Sequence, residues 1–198
     1  DCPESRGLGD VYKRQTVSIA DTGASKTQVD TVNGFTTGTV TPTSISEDKA
    51  DITTLQGTAG ISLATTNITV TDQVNKSEAD TINGYTTGQV VLNSASMTVT
   101  ELAAVEALDD SVMKFADDGA ISVSDAASLS DANTINNYTT GQVTLTSVDD
   151  TVANITSIDG LTTTQVSMAG AAVSVSDAAT LANANAINGF TTGQVTLT

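Results

Sequence analysis

Histidine and tryptophan are absent from this 198-residue chain, which also holds only one Cys, two Pro, three Phe and three Tyr. Without His there can be no Ser–His–Asp triad and no His-ligated zinc. A single Cys rules out a disulfide within the chain. Cations are scarce: seven Lys and Arg stand against 23 Asp and Glu, for a formal charge of −16. That balance opposes unaided binding to the phosphates of nucleic acid. No apolar run approaches the roughly 18 residues of a membrane span. Hydrophobic residues make up 38% and charged residues 15%, both below the average for globular domains. What fills the space is threonine, at 36 positions. The result is an acidic, Thr-rich chain of small side chains.

Residues 1–15, DCPESRGLGDVYKRQ, match nothing downstream, and they hold Cys2, Pro3 and three of the seven basic residues. GLGDVYKRQ resembles the translated adapter read-through seen at the ends of proteins from environmental sequencing assemblies. The segment is therefore set aside as a non-native or disordered leader. Residues 16–198 then carry 20 acids and 4 bases. They end on QVTLT, in the middle of a repeat, so the array is expected to be truncated at both ends.

Internal repetition dominates those residues. Four segments align, beginning at Thr16, Ile68, Ile121 and Val173, and they share Asp21, Asp72, Asp125 and Asp177 at separations of 51, 53 and 52 residues. A TTG triplet follows each in phase, at Thr36, Thr86, Thr139 and Thr191. Between these strong copies lies a weaker motif. SISEDKADITTLQG from Ser44 aligns without gaps to SVDDTVANITSIDG from Ser147, and SASMTVTELAAVEA from Ser94 fits more loosely. The 52-residue repeat is thus a pair of subunits of about 26 residues.

Each subunit opens with alternation, as in Val173 and Val175 against Ser174 and Ser176, the period of a strand buried on one face. The Asp that follows suits a helix N-cap. Ala178, Leu181, Ala184 and Ile187 then fall three apart, predicting an apolar helical stripe. Asn188-Gly189 ends the helix, Phe190 is expected to tuck beneath it, and TTG turns the chain into the next strand. One such unit offers too little apolar area to offset its chain entropy, whereas stacked units bury each other. The expected fold is α/β: a solenoid of strand–helix–turn units on a parallel sheet, with Thr columns on the outer face, forming a single array over 16–198. An all-β parallel helix is the alternative, because the weaker subunits carry β-branched residues where helix formers are expected.

SVDDTVANI and VSVSDAATLANANAI resemble the SDTAANL- and VSDAATLA-type long repeats of giant bacterial surface and secreted proteins, which include adhesin-like, surface-layer-like and haemolysin-associated chains. The resemblance implies an extracellular or cell-surface location and no particular activity. This sequence departs from the pattern at Met97–Glu101 and at Lys76, where Leu129 and Leu181 stand in the sister units; local irregularity is expected there.

Chemistry is sparse. Carboxylate pairs occur at Asp109-Asp110, Asp117-Asp118 and Asp149-Asp150, where capping and solvation account for them. Asp21, Asp72, Asp125 and Asp177 are calcium candidates, but calcium takes six to eight oxygen ligands, and helix capping is the better reading. No GxSxG, no phosphate-cradling loop with its Lys and no basic residue after Lys114 are present. The expected role is a non-enzymatic spacer or stalk of a bacterial repeat protein. Its partners would be neighbouring repeats of the same parent chain, with no nucleic acid and no membrane span. A glycan- or surface-binding module and a calcium-stiffened extension are the alternatives.

Overall fold

The computed structural model describes residues 13–161 and 165–198; most of the expected leader, Cys2 included, lies outside them. Among the described residues there are ten strands and seven helices. Two compact units divide the chain: one comprises residues up to Asp72 with Ser77–Val91 and Asp110–Met113, the other Gln73–Lys76, Leu92–Asp109 and Lys114–Thr198.

The first unit holds β1 (Val17–Ile19), α1 (Lys26–Phe35), β2 (Val40–Pro42), β3 (Ser44–Glu47), α2 (Lys49–Gly57) and most of β4 (Asn67–Val74) and α3 (Lys76–Asn83). β1 pairs with β2 and β3 with β4, both in parallel, and α1 packs on α2. The second unit holds most of β5 (Val90–Met97), then α4 (Val99–Glu106), β6 (Met113–Ala127), α5 (Leu129–Ile135), β7 (Val143–Asp150) and α6 (Val152–Gly160). After them come β8 (Val166–Ser167), β9 (Ala172–Val175), α7 (Leu181–Phe190) and β10 (Val195–Leu197). Parallel ladders join β6 to β7, β7 to both β8 and β9, and β9 to β10, while α4, α5, α6 and α7 pack in succession. The fold is α/β.

Helices form in the weak subunits despite their β-branched residues. Asp48 and Thr151 cap α2 and α6, and each helix buries an apolar pair three apart, Ile52 with Leu55 and Ile155 with Ile158. Each such side chain contributes about 1.5–3 kcal/mol by leaving water, enough to outweigh a propensity deficit of tenths of a kcal/mol. Met97–Glu101 is likewise regular: Thr98 and Glu101 form a reciprocal capping box at the start of α4, and Met97 is fully buried. The irregularity falls instead in β6, whose register with β7 shifts between Val123 and Ala126.

The stripe expected in the last helix is only partly present. Ala178 precedes the helix, Leu181 is 79% exposed and Ile187 is fully buried. Leu129 is correspondingly only half-buried, while Ala132 and Ile135 are buried. Steps of three residues at 100° each slip backwards, so positions six apart lie about 120° apart around the axis. A two-membered stripe faces the core and the first Leu swings out. Phe190 is half-buried, but Phe35, at the same place in the first copy, is 76% exposed.

The outer strand face carries hydroxyl side chains in register. Ser46 lies opposite Thr69 in the first unit, and Ser122, Thr144 and Ser167 form a row in the second, as do Ser174 and Thr196.

Candidate functional site

Two sets of polar contacts recur along the chain, and both link one subunit to the next. The first involves the shared acids. Asp21, Asp72, Asp125 and Asp177 were expected to cap the helices that follow them, but those helices begin four or five residues later, and Ser25, Ser128 and Thr180 cap α1, α5 and α7. Strands β4 and β6 run on through Asp72 and Asp125. The carboxylates of Asp72, Asp125 and Asp177 reach sideways instead, each to the first N–H of a preceding helix. Asp72 accepts from Lys49 N at 2.9 Å, Asp125 from Val99 N at 2.9 Å and Asp177 from Val152 N at 2.8 Å.

Two of the three weak subunits return the contact; the third has Met97 at the equivalent position. Glu47 accepts from Lys26 N at 2.5 Å and Asp150 from Leu129 N at 2.9 Å. A carboxylate against the unpaired N–H groups of a helix start also meets the positive end of the helix dipole. For Asp150, burial opposes ionisation, but the N–H of Leu129, the Asn154 amide and the N–H of Thr151 outweigh it and hold the carboxyl below its ordinary 3.8. Asp21 sits exposed, and its main-chain oxygen accepts from Ser44 Oγ at 3.3 Å.

The second set explains the TTG triplets. The first Thr hydroxyl donates to a carbonyl one subunit back: Thr86 to Thr66 O, Thr139 to Gly119 O and Thr191 to Ala171 O, each at 2.6 Å. Thr36 does the same to Gln15 O at 3.0 Å. The same oxygen accepts the N–H of the Gly two residues on, at 2.8–3.0 Å. The second Thr reaches another carbonyl two residues earlier, Ala64 O from Thr87 and Asp117 O from Thr140. Glycine is required because the chains touch: a Cβ on Gly88 would stand 2.5 Å from Thr66 O. Sequence periodicity located the triplets as turns, yet their role as staples depends on which carbonyl lies opposite.

The four candidate calcium ligands are thus spread along the chain, and the carboxylates of three, Asp72, Asp125 and Asp177, are held by backbone N–H groups. Among the described residues, no group of three or more Asp, Glu or Cys is placed to hold a metal ion. No described helix is long and apolar enough to cross a membrane.

No protein-family model, curated protein or solved structure matches this chain.

Two concavities among the described residues carry polar side chains. In the first unit a groove of about 500 Å³ runs between α2 and α3, lined by Ala50, Thr53, Thr81 and Ile82 and bordered by the Lys49–Glu78 ion pair at 2.9 Å. Hydrogen bonding to Glu78 raises the Lys49 ammonium above 10.5. In the second unit a cleft of about 380 Å³ opens beside Tyr138, walled by Asp117, Asn136, Asn137, Thr139 and Thr140. Phe115, nearly buried, stacks on Tyr138 with ring centres 6.3 Å apart and planes at 12°. Burial first, and the Glu106 charge second, push the Tyr138 phenol above 10, so at neutral pH it remains a hydrogen-bond donor. Neither concavity had a sequence signal of its own.

Proposed function

We propose that the chain is a non-enzymatic spacer: a segment of an α/β repeat solenoid within a large bacterial surface or secreted protein, lengthened by adding subunits. The observation that carries this reading is the recurrence of the same staple, a TTG hydroxyl and its glycine N–H closed on a carbonyl one subunit back, in three strong copies, while in the first copy Thr36 closes in the same way on Gln15 O at the end of the leader. A contact repeated in sequence and in space makes each subunit the template for the next, and stability becomes nearly a sum of unit and interface contributions. The carboxylate contacts add the same nearest-neighbour logic on the helix side. The surface or secreted setting follows from the resemblance of SVDDTVANI and VSVSDAATLANANAI to long repeats of such proteins.

The test is to insert a second copy of residues 121–172 directly after residue 172, which preserves the alternation of strong and weak subunits. The maximum dimension from small-angle scattering should grow by about 10 Å, two inter-strand spacings, and the denaturant dependence of unfolding should rise with the added area. An insert that unfolds, or that leaves the maximum dimension unchanged, defeats the reading.

A further inference from the structure

We propose that the cleft at Tyr138 binds a neutral sugar unit, so that this one repeat adds recognition to a structural array. The repeats supply their own comparison. The stretch from Gly60, whose carbonyl pairs with Val40 N, to Thr66, which takes the Thr86 staple, matches Gln165 to Ala171 in length. The equivalent stretch from Val112 to Gly119 is one residue longer.

Within that stretch Lys114 stands where the sisters have Ser62 and Ser167, and Phe115 where they have Leu63 and Met168. Asp117 takes the place of Ala64 and Ala169. Asn137, on the facing loop, replaces a residue that is Gly34, Gly84 and Gly189 in the other strong copies. Drift would scatter such departures along the chain. Here they meet around a single ring: Asp117 and Asn137 wall the cleft and Phe115 backs Tyr138. Gly119 lets the longer stretch fold back, since a Cβ there would lie 3.0 Å from Ala116 O and 3.1 Å from Leu92 O.

The polar groups select the ligand class. Among the described residues Asn136 Oδ1 is buried without a hydrogen-bond partner, a costly state for an acceptor that a turn of the amide toward a ligand's donor in the cleft would relieve. The Asp117 side chain is 91% exposed and adds carboxylate acceptors, while Asn137 can both donate and accept. Lys114 Nζ lies 3.5 Å from Asp117 Oδ1, which opposes a metal cation at that carboxylate. Asp117, the one charged residue lining the cleft, opposes an anion. A neutral ligand rich in O–H groups, with an apolar C–H face to lie against Tyr138, satisfies all of them. The volume falls within the few hundred cubic ångströms typical of small-molecule sites.

The experiment titrates the ¹⁵N-labelled full chain with the methyl glycosides of glucose, mannose, galactose and N-acetylglucosamine, and separately with calcium chloride, following the side-chain amides of Asn136 and Asn137 by NMR. At least one glycoside should shift both amides with a dissociation constant on the order of 1 mM. Asp117→Ala and Asn137→Gly install residues that the sister repeats already carry, so the fold is retained. Each should weaken binding about tenfold or more, the equivalent of one good hydrogen bond. Silence with all four glycosides, shifts that persist unchanged in both variants, or a response to calcium alone would overturn the proposal.

Discussion

Replacing Thr139 by Val tests the staple with almost no change in shape. The Thr139 hydroxyl is buried; it donates to Gly119 O at 2.6 Å and accepts from Gly141 N at 2.8 Å. Valine keeps the volume and deletes both bonds, leaving a carbonyl and an N–H without partners. Each bond is worth about 1 kcal/mol net, rising to about 1–3 kcal/mol where the group left behind is buried and unsatisfied. Because water can reach part of this edge, the expected total is about 2–4 kcal/mol. With a urea dependence near 2 kcal/mol per molar, the midpoint should fall by about 1–2 M. Two controls isolate the cause. Thr139→Ser keeps the hydroxyl and should retain most of the stability. Thr134→Val removes a hydroxyl that only bonds back to Ser130 O on an exposed helix face, and should change stability by less than about 0.5 kcal/mol. A small loss for Thr139→Val, or an equal loss for Thr139→Ser, would refute the staple as an energetic unit.

Other outcomes follow from single positions. Because the folded Asp150 carboxyl titrates below its ordinary 3.8, its contribution is present above that value and lost as pH falls through the folded one. Asp150→Asn should therefore be less stable at neutral pH by about 0.5–1 kcal/mol, with the gap to the parent closing below about pH 4 in acid titrations of the urea midpoint. Ile135→Ala, at a buried position, should cost about 2–5 kcal/mol, whereas Leu181→Ala, at 79% exposure, should cost less than about 0.5 kcal/mol; denaturant unfolding of both variants checks the contrast. Gln165 holds a positive φ of 98°, at the place where Gly60 has 85°. Gln165→Gly should raise stability by up to about 1 kcal/mol, and a drop in midpoint would show that the side chain matters more than the backbone.

Periodicity in the sequence was sufficient for the α/β alternation, the strand positions such as Val173 and Val175, and the phase of the repeats. These depend on local patterns that any stacked arrangement must satisfy. The same patterns misplaced the acids and the first Leu of α5 and α7. A carboxylate before a helix reads as that helix's cap, but β4 and β6 extend past Asp72 and Asp125, and the nearest free N–H belongs to a helix one subunit back. Leu129 and Leu181 satisfied a spacing of three, yet 100° per residue carries them off the buried face. The cleft at Tyr138 was beyond sequence reading for a related reason. Lys114, Phe115, Asp117 and Asn137 look like separate substitutions until the chain returns about one subunit later and sets Thr140 on the main-chain oxygen of Asp117. The local pattern decided which elements form. Only the tertiary structure decided what the shared acids and the TTG threonine hydroxyls meet, because those contacts join residues about 20 or more positions apart.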